Sequence, residues 1–441
     1  MERTLIKDLK KYVGKPVHIA GWVSVRRDQG KMVFFDFRDR SGKVQGVVLP
    51  NSEAMEVAKT LRPEDVVSAE GILNTRPEKN IQADHENGDI ELEIKEIEVI
   101  SKAHELPFEL GAEVNLDTYL DHLPYTLRSE RSKAVFRVQA TIIEAFREAL
   151  RKEDFVEFQS PVLVGEDAEG GAAAFKVNYY RDKKAHLATS PQLYKQIMTG
   201  VFERVFATAK VFRGEKHATP RHVSEVVQMD FEMGFIVDHR DIMAMLEKIV
   251  RYIALAVAKR HGDILSQFNV EKPLLPKSAF PVMKLREAQK LLGIPEAPDL
   301  EPEHERALCE WAKKEKDSDF VFVTHFPFAK RPFYTYEDEE DPGYTKYFDL
   351  LFRGLEINSG GQRVHQYERI IENLKIKGLD PAKFAYYLQA FKYGMPPHGG
   401  CSTGLERLTA RMLGLSNIRE ATLFPRDMNR IDTLLSKDTE K

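Results

Sequence analysis

The chain has 441 residues, of which 42% are hydrophobic and 30% charged, which excludes a disordered or fibrous protein and predicts two or three domains. Lys and Arg number 65 and Asp and Glu 69, so the net charge is −4 and a surface that is basic throughout is excluded. The two cysteines, Cys309 and Cys401, exclude a disulfide framework. A cytoplasmic location is expected, because the sequence has neither a signal-peptide pattern nor an apolar run of membrane-spanning length.

Residues 1–103 are predicted to form an all-β domain. Five β-rich runs are separated by turn signals such as Asn87-Gly88 and interrupted by a short helix at 52–61. This content suits a small Greek-key barrel of the OB type, whose face commonly binds oligonucleotides. A generic β-barrel or sandwich has the same pattern and remains the alternative.

Charge is distributed unevenly within this segment. Residues 1–43 contain eleven Lys/Arg and five Asp/Glu, a balance of +6, whereas residues 44–100 contain five and thirteen, a balance of −8. Cations near Phe34 and Phe35 would hold phosphates while the rings stack on unpaired bases. A solvated barrel surface has a similar composition, so RNA binding is a hypothesis here.

Residues 104–128 are predicted to be a hinge that precedes a long second domain, 129–441. An amphipathic helix is expected over 129–152, capped by Ser129, and a second one over 239–260. Strand candidates such as 332–337 lack the continuous apolar runs of a buried parallel sheet. We therefore expect an α+β fold, with an antiparallel sheet flanked by helices and a small insertion at 262–318.

Three constellations carry candidate chemistry. Phe212-Arg213-Gly214-Glu215 begins a cationic hairpin that continues through Arg221 and His222, and Arg213 and Glu215 are expected to alternate in its first strand and so point to the same face. Guanidinium groups match phosphate oxygens. Gly404-Leu405-Glu406-Arg407 places a second arginine at a helix start. Asp349 and Glu356 from adjacent strands would make an oxygen site suited to Mg²⁺. Each pattern alone also has an ordinary structural explanation. The first is compatible with a surface hairpin, the second with a glycine-rich turn and the third with a solvated acidic pair.

Taken in this order, F-R-x-E, D-x6-E and G-L-E-R resemble motifs 2 and 3 of the class II aminoacyl-tRNA synthetases. The first motif is similar to the helix 129–152 running into FVEFQSPVL with Pro161, which implies a homodimer through that segment. An OB barrel before this catalytic domain is typical of the subgroup that handles aspartate, asparagine and lysine. Only the short segment 262–318 separates the second and third motifs at this place, and in this the chain resembles the archaeal and eukaryotic enzymes rather than the bacterial type.

The amino-acid pocket resembles the aspartyl branch of that family. Ser190-Pro191-Gln192-Leu193-Tyr194-Lys195-Gln196 is similar to the aspartyl motif whose lysine meets the substrate carboxylate, and Arg363 matches the arginine that clamps it. A neutral amide would leave Lys195 and Arg363 buried with uncompensated charge, which argues against the alternative of an asparaginyl enzyme. A non-catalytic RNA-binding paralogue is the second alternative.

The resemblance implies activation of L-aspartate by ATP to aspartyl-adenylate, with Mg²⁺, and transfer to the 3′ end of tRNA(Asp). Pro77 favours a relaxed form that also charges tRNA(Asn), whereas Ser24 matches neither of the residues usual at its position in the family. No DNA or membrane partner is expected. Val226 departs from the pattern, because many relatives carry a phenylalanine there that stacks on adenine.

The implied site residues fall into four groups. Arg213 and Arg407 would be catalytic and hold the α- and γ-phosphates. The ATP contacts would be these two with Glu215, Arg221, His222, Val223, Glu356 and Gly404. The aspartate contacts would be Glu169, Ser190, Gln192, Lys195, Asp230, Ser359 and Arg363. Mg²⁺ would bind Asp349, Glu356 and Ser359, and the anticodon would bind Arg26, Phe34, Gln45, Pro77 and Glu91.

Overall fold

The computed structural model describes residues 1–83, 85–165, 174–214 and 219–435. These residues form two compact units, Met1–Glu109 and Leu110–Lys441. No helix within the described ranges combines the length and the apolarity needed to cross a bilayer.

The first unit is a closed five-stranded barrel with the strand order β1-β2-β3-β5-β4. Its elements are β1 (Pro16–Asp28), β2 (Val33–Asp39), β3 (Gly42–Val48), α1 (Met55–Thr60), β4 (Val66–Thr75) and β5 (Ile90–Ser101). Alternate residues of the strands point inward and form one apolar core. Gly46 is required in β3, because a Cβ there would lie 2.7 Å from the Phe37 ring. The OB-type barrel predicted from the sequence is confirmed.

The second unit is built around an eight-stranded sheet with the order β12-β13-β14-β15-β16-β11-β10-β6, and a small sheet β7-β9-β8 lies beside it, both within the described residues. Its strands are β6 (Val156–Glu157), β7 (Leu163–Val164), β8 (Lys176–Asn178), β9 (Lys184–Leu187), β10 (Arg204–Phe212), β11 (Glu225–Gly234), β12 (Val282–Lys284), β13 (Phe320–Thr324), β14 (Tyr347–Phe352), β15 (Leu355–Arg363) and β16 (His398–Gly404).

The helices of this unit are α2 (Leu116–Asp121), α3 (Leu123–Thr126), α4 (Glu130–Arg151), α5 (Gln192–Phe202), α6 (His239–Arg260), α7 (Gly262–Gln267), α8 (Leu285–Leu292), α9 (Pro302–Lys316), α10 (Tyr367–Ile376), α11 (Ala385–Lys392) and α12 (Leu405–Met412). The expected helices at 129–152 and 239–260 are confirmed as α4 and α6. The Ser129 hydroxyl accepts a bond from the Ser132 N–H, and the Asp238 carboxylate one from the Arg240 N–H, so a side chain caps each helix.

The large sheet is mixed rather than purely antiparallel. Its central strands, from β13 to β10, pair antiparallel, while β12 and β6 add parallel strands at the two edges. The helices α4, α6 and α12 pack over one face and share an apolar core with it. The α+β architecture is therefore confirmed, and the 262–318 segment supplies α7, β12, α8 and α9 to its edge.

Two local expectations were wrong. Residues 332–337 do not form a strand; they make two isolated bridges, between Thr335 and Arg363 and between Glu337 and Thr345. Their aromatic side chains pack instead into a separate cluster with α10 and α11, and this burial gives the run a strand-like composition. Strand β10 ends at Phe212, so Arg213 follows the strand instead of alternating within it.

Candidate active site

Four charged side chains meet at the centre of the large sheet, and all are buried. Lys195 of α5 donates from Nζ to Asp230 Oδ2 at 2.8 Å and lies 3.4 Å from Glu232 Oε2. Arg363, the last residue of β15, donates from Nε to Glu232 Oε1 at 3.0 Å. The four side chains thus form a continuous chain of alternating carboxylates and cations, from Asp230 through Lys195 and Glu232 to Arg363, which we call the charge quartet.

The charge quartet corrects the electrostatic argument made from the sequence. Asp230 and Glu232 already compensate Lys195 and Arg363, so a neutral ligand would not leave these cations uncompensated. Burial alone would raise the pKa of Glu232, but Arg363 and Lys195 outweigh it and hold that pKa below its usual value. The pocket is therefore polar and internally balanced.

Other residues of the predicted aspartate site surround the charge quartet. Gln192 accepts a bond from Arg363 Nη2 at 3.4 Å, while its own Nε2 is buried without a partner among the described residues. Ser190 Oγ accepts from the Gln192 N–H. A buried donor without an acceptor is costly, so Gln192 Nε2 marks a place where a ligand oxygen would be favourable. Glu169 lies outside the described residues.

Two contributors to this pocket were missed from the sequence. Glu232 follows Asp230 by two residues in β11 and so points to the same face, a signal that was available. Ser402 donates from its hydroxyl to Asp230 Oδ1 at 2.6 Å. Gly400 lets the carboxylate approach, because a Cβ there would lie 2.2 Å from Glu232 Oε2.

A second group of charges lies at the β14–β15 hairpin. Arg407, in the first turn of α12, donates from Nη1 to Glu356 Oε2 at 3.3 Å. Arg221 donates from Nη2 to Glu305 Oε2 at 3.0 Å and to the Gly354 carbonyl at 3.1 Å. Two of the arginines predicted to hold phosphates are thus fixed by carboxylates around one hairpin.

Asp349 has the features expected of a cation ligand. It is buried, and its Oδ1 has no hydrogen-bond partner among the described residues. Burial and the charge of Glu356 raise its pKa well above the usual value, so a divalent cation would relieve a real cost. Ser359 lies opposite it in the β14–β15 register.

The protein supplies only part of a metal's ligand set here. Within the described residues, no group of three or more His, Cys, Asp or Glu side chains is placed to hold a metal ion. Mg²⁺ characteristically keeps waters and takes phosphate oxygens beside one or two carboxylates. The donor set of Asp349, Glu356 and Ser359 fits that mode.

The remaining predicted ATP residues differ in their placement. The Arg213 side chain has no hydrogen-bond or ion-pair partner within the described ranges, and its N–H donates to the Ser224 carbonyl. Val223 is buried in the apolar core, which leaves only its backbone for a ligand. Thr219 and His222 Nδ1 are hydrogen bonded at 2.6 Å. Glu215 lies outside the described residues.

Three further residues complete this region. Gly404 immediately precedes α12 and so places Arg407 in its first turn. Val226 pairs with Val211 and packs against the core. Glu406, also in the first turn of α12, accepts bonds from the Val227 N–H at 3.0 and 3.2 Å. Strand β11 thereby gains an acceptor just beyond its pairing with the end of β16.

In the barrel, the predicted anticodon residues form part of a polar chain. Gln45 donates from Nε2 to Glu91 Oε2, and Arg27 reaches both Gln45 and Asp36. Phe34 lies opposite Arg27 in the β1–β2 register and is half-buried. An aromatic ring beside an amide and an arginine suits stacking on an unpaired base and pairing with its edge.

Two predicted anticodon residues are less closely tied to this chain of contacts. Arg26 donates to Asp28 at 2.8 Å. Pro77 is exposed and begins the short helical turn Glu78–Asn80. It follows Arg76, whose Nε lies 4.0 Å from Glu91 Oε2.

The first unit is an OB barrel, and the second is a helix-flanked, largely antiparallel sheet that carries the charge quartet and an acidic hairpin contacted by arginines. This combination defines a class II aminoacyl-tRNA synthetase. The chain belongs to the tRNA synthetases class II (D, K and N), whose family profile matches residues 115–428. The profile of the OB-fold nucleic acid binding domain matches residues 17–100.

Individual relatives agree with this assignment. The chain is 44% identical over 441 residues to the aspartate–tRNA(Asp/Asn) ligase of Thermus thermophilus, covering 97% of this chain and 99% of that one. It is 38% identical over 435 residues to the aspartate–tRNA(Asp) ligase of Pyrococcus furiosus, covering 95% and 96%. The asparaginyl-tRNA synthetase of Pyrococcus horikoshii, solved with asparaginyl-adenylate, superposes with a TM-score of 0.88 at 32% identity, covering 98% and 99%.

Proposed function

We propose that the protein is an aspartate–tRNA ligase. The observation that carries this proposal is the charge quartet, in which Lys195 and Arg363 are buried against Asp230 and Glu232 beside Gln192, whose Nε2 has no partner among the described residues. The curated relatives from T. thermophilus and P. furiosus, both named as aspartate–tRNA ligases, support the same choice of amino acid. The fold alone does not distinguish an aspartate enzyme from an asparagine enzyme, since the asparaginyl-tRNA synthetase of P. horikoshii superposes with a TM-score of 0.88.

The reaction proceeds in two steps. The α-carboxylate of aspartate attacks the α-phosphorus of ATP, and pyrophosphate leaves. The 3′-hydroxyl of the terminal ribose of the tRNA then attacks the carbonyl carbon of the adenylate, and AMP leaves. We assign Arg213 to the α-phosphate and Arg407 to the γ-phosphate. Catalysis comes from positioning and charge stabilisation, without a protein nucleophile.

The acidic hairpin would hold Mg²⁺. Asp349, Glu356 and Ser359 fit as its protein ligands because Asp349 has a buried oxygen without a partner. The bound ion would neutralise phosphate charge and help to orient the triphosphate. Glu356 also accepts a hydrogen bond from Arg407. The same side chain would therefore position both Mg²⁺ and the arginine assigned to the γ-phosphate.

We further propose that the barrel reads the anticodon and that charging extends to tRNA(Asn). Ser24 is tied to the barrel interior, because its hydroxyl accepts from the buried Arg38 at 3.1 Å, while Pro77 stays exposed. The Thermus relative is named for both tRNAs and the Pyrococcus relative for one. Aminoacylation of both transcripts tests this, and no aspartate on tRNA(Asn) would refute the relaxed form. Charging of tRNA supports the expected cytoplasmic location.

A homodimer through the first motif is also proposed. The outer face of α4 borders a groove of about 680 Å³ that includes Ile143 and Arg147. Close to it in sequence, Val162 and Leu163 are exposed beside Pro161. The groove is lined mainly by charged side chains of both signs, with Ala140 and Ile143 among them, and such a face beside an exposed apolar segment suits a self-complementary two-fold contact. Light scattering at micromolar concentration should give twice the mass of one chain, and a monomer would contradict the proposal.

The assignment of the amino acid is tested by ATP–pyrophosphate exchange. Exchange should depend on aspartate and should be about 100-fold weaker with asparagine, because a carboxylate can take the place of the carboxylates that pair with Lys195 and Arg363, whereas a carboxamide is a weaker acceptor. Preference for asparagine would replace the proposal by the asparaginyl alternative. Absence of exchange with either amino acid would favour a non-catalytic RNA-binding protein.

A further inference from the structure

A β-hairpin with an unusual surface projects from the wall of the amino-acid pocket. Strands β8 and β9 pair through Lys176 and His186, Val177 and Ala185, and Asn178 and Lys184. The segment 174–184 contains four basic residues and one acidic residue. The tip is exposed and aromatic, with Tyr180 79% accessible and Tyr179 49%.

The base of this hairpin is fixed to the catalytic sheet. The Ala188 carbonyl accepts from the Phe212 N–H at 2.8 Å, and the Ala188 N–H donates to the Val162 carbonyl at 2.9 Å. Phe212 directly precedes Arg213, and Ala188 is two residues before Ser190. The hairpin therefore starts between the residues assigned to the α-phosphate and those assigned to aspartate.

The turn at the tip is held in a costly conformation. Arg181 and Asp182 both have positive φ, 57° and 56°, in a turn where the Lys183 N–H donates to the Tyr180 carbonyl at 3.2 Å. Glycine or asparagine is usual at such positions, and a residue such as arginine there costs about 1–2 kcal/mol. The strained turn presents Arg181, Lys183 and the Tyr180 ring together in solvent.

We propose that this basic aromatic hairpin is a docking surface for the acceptor end of the tRNA, whose unpaired bases stack on Tyr180 and whose phosphates lie on Arg181, Lys183 and Lys184. Exposed rings interleaved with cations are the surface that single-stranded RNA binds best, because each base offers a face for stacking and each phosphate a charge. The occupant follows from position, since the nucleotide that accepts aspartate must reach the pocket from which the hairpin starts. The inference rests on the proposed function.

The test separates the two steps of the reaction. In Tyr180→Ala and in the double variant Lys183→Ala/Lys184→Ala, ATP–pyrophosphate exchange with aspartate should stay unchanged. The KM for tRNA in aminoacylation should rise about tenfold, as expected for one lost stacking contact. The double variant should also show a weaker salt dependence of kcat/KM for tRNA, by about 0.7 in log–log slope for each lost phosphate contact.

Matched controls are Tyr393→Ala, a ring with similar exposure, and Lys259→Ala/Lys314→Ala, a charge change elsewhere. An unchanged KM for tRNA in both hairpin variants would overturn the proposal. So would a loss of exchange, which would make the hairpin part of the pocket, or a change of oligomeric state by light scattering, which would make it a contact between copies. Absence of exchange in the unaltered protein would instead overturn the proposed function.

Discussion

Arg221 and Glu305 are joined across 84 positions of sequence by a bond of 3.0 Å from Nη2 to Oε2. The same oxygen accepts from the Glu356 N–H at 3.3 Å. Glu305 belongs to α9, in the edge segment of the sheet, whereas Arg221 and Glu356 belong to the proposed phosphate end of the site. One carboxylate of α9 thus positions an arginine and the strand that carries a proposed metal ligand.

We predict that Glu305→Ala raises the KM for ATP about tenfold while leaving the KM for aspartate unchanged. Removing the acceptor leaves Arg221 with only the Gly354 carbonyl and takes an acceptor from the Glu356 N–H, and a hydrogen bond to a charged group contributes about 1.5–3 kcal/mol. Pyrophosphate exchange at varied ATP measures the effect. Glu305→Gln keeps an acceptor and should be intermediate, and exposed Glu310→Ala on the same helix is the control. Equal increases in both KM values would indicate a general loss of structure.

Arg213→Ala should lower pyrophosphate exchange by about 10²–10³-fold, the usual loss when one donor to a charged transition state is removed. The thermal midpoint should not change, because the Arg213 side chain has no partner within the described residues. Arg240→Ala, at an exposed arginine, is the control. Exchange close to that of the unaltered protein would refute the role assigned to Arg213.

Phe34→Ala in the barrel should raise the KM for tRNA about tenfold without affecting exchange, since stacking on a base contributes about 1–3 kcal/mol. Ile100→Ala removes an exposed apolar side chain of the same barrel and serves as the control. An anticodon-substituted transcript should be insensitive to the Phe34 change. If both transcripts respond equally, Phe34 contributes to the barrel rather than to recognition.

Glu406 should make stability depend on pH. Burial raises its pKa from 4.5 to about 7, so between these values the folded protein keeps a proton that the unfolded chain has lost. The free energy of unfolding must therefore fall as pH rises through this window, by about 3 kcal/mol in total.

Urea unfolding midpoints at pH 5 and pH 8 test this. Glu406→Gln lacks the titrating group, so its midpoint should fall less between the two pH values than that of the unaltered protein. Exposed Glu368→Gln should follow the unaltered protein. Parallel changes in all three proteins would contradict the assignment.

Local patterns made much of the fold predictable. The apolar periodicity and the Ser129 cap located α4, and the alternation of apolar and polar residues located the barrel strands. Each of these patterns can be recognised within a few consecutive residues. The order of the Arg213, Asp349 and Arg407 motifs identified the class. The helix and strand predictions depend on short-range spacing, whereas the class assignment depends on the order of motifs along the chain. Folding changes neither the spacing nor the order.

What could not be predicted depends on contacts between distant segments. Glu305 lies in a Glu-rich stretch and has no local feature that sets it apart from its solvated neighbours. The compensation of Lys195 and Arg363 required β11 to bring Asp230 and Glu232 between α5 and β15. Residues 332–337 have strand composition, but their rings are buried by α10 and α11. Only the tertiary arrangement decides these cases.

With the proposed aspartate site, the charge quartet would select the substrate by displacement. Arg363 and Lys195 are paired with the protein's own carboxylates, so an incoming side chain would have to compete with Glu232 for Arg363 and with Asp230 for Lys195. A carboxylate can exchange with a carboxylate, whereas a carboxamide offers a weaker acceptor and cannot replace it at equal cost. Selectivity for an acidic amino acid would then arise from competition between the carboxylate of the substrate side chain and the carboxylates of Asp230 and Glu232 for the same two cations.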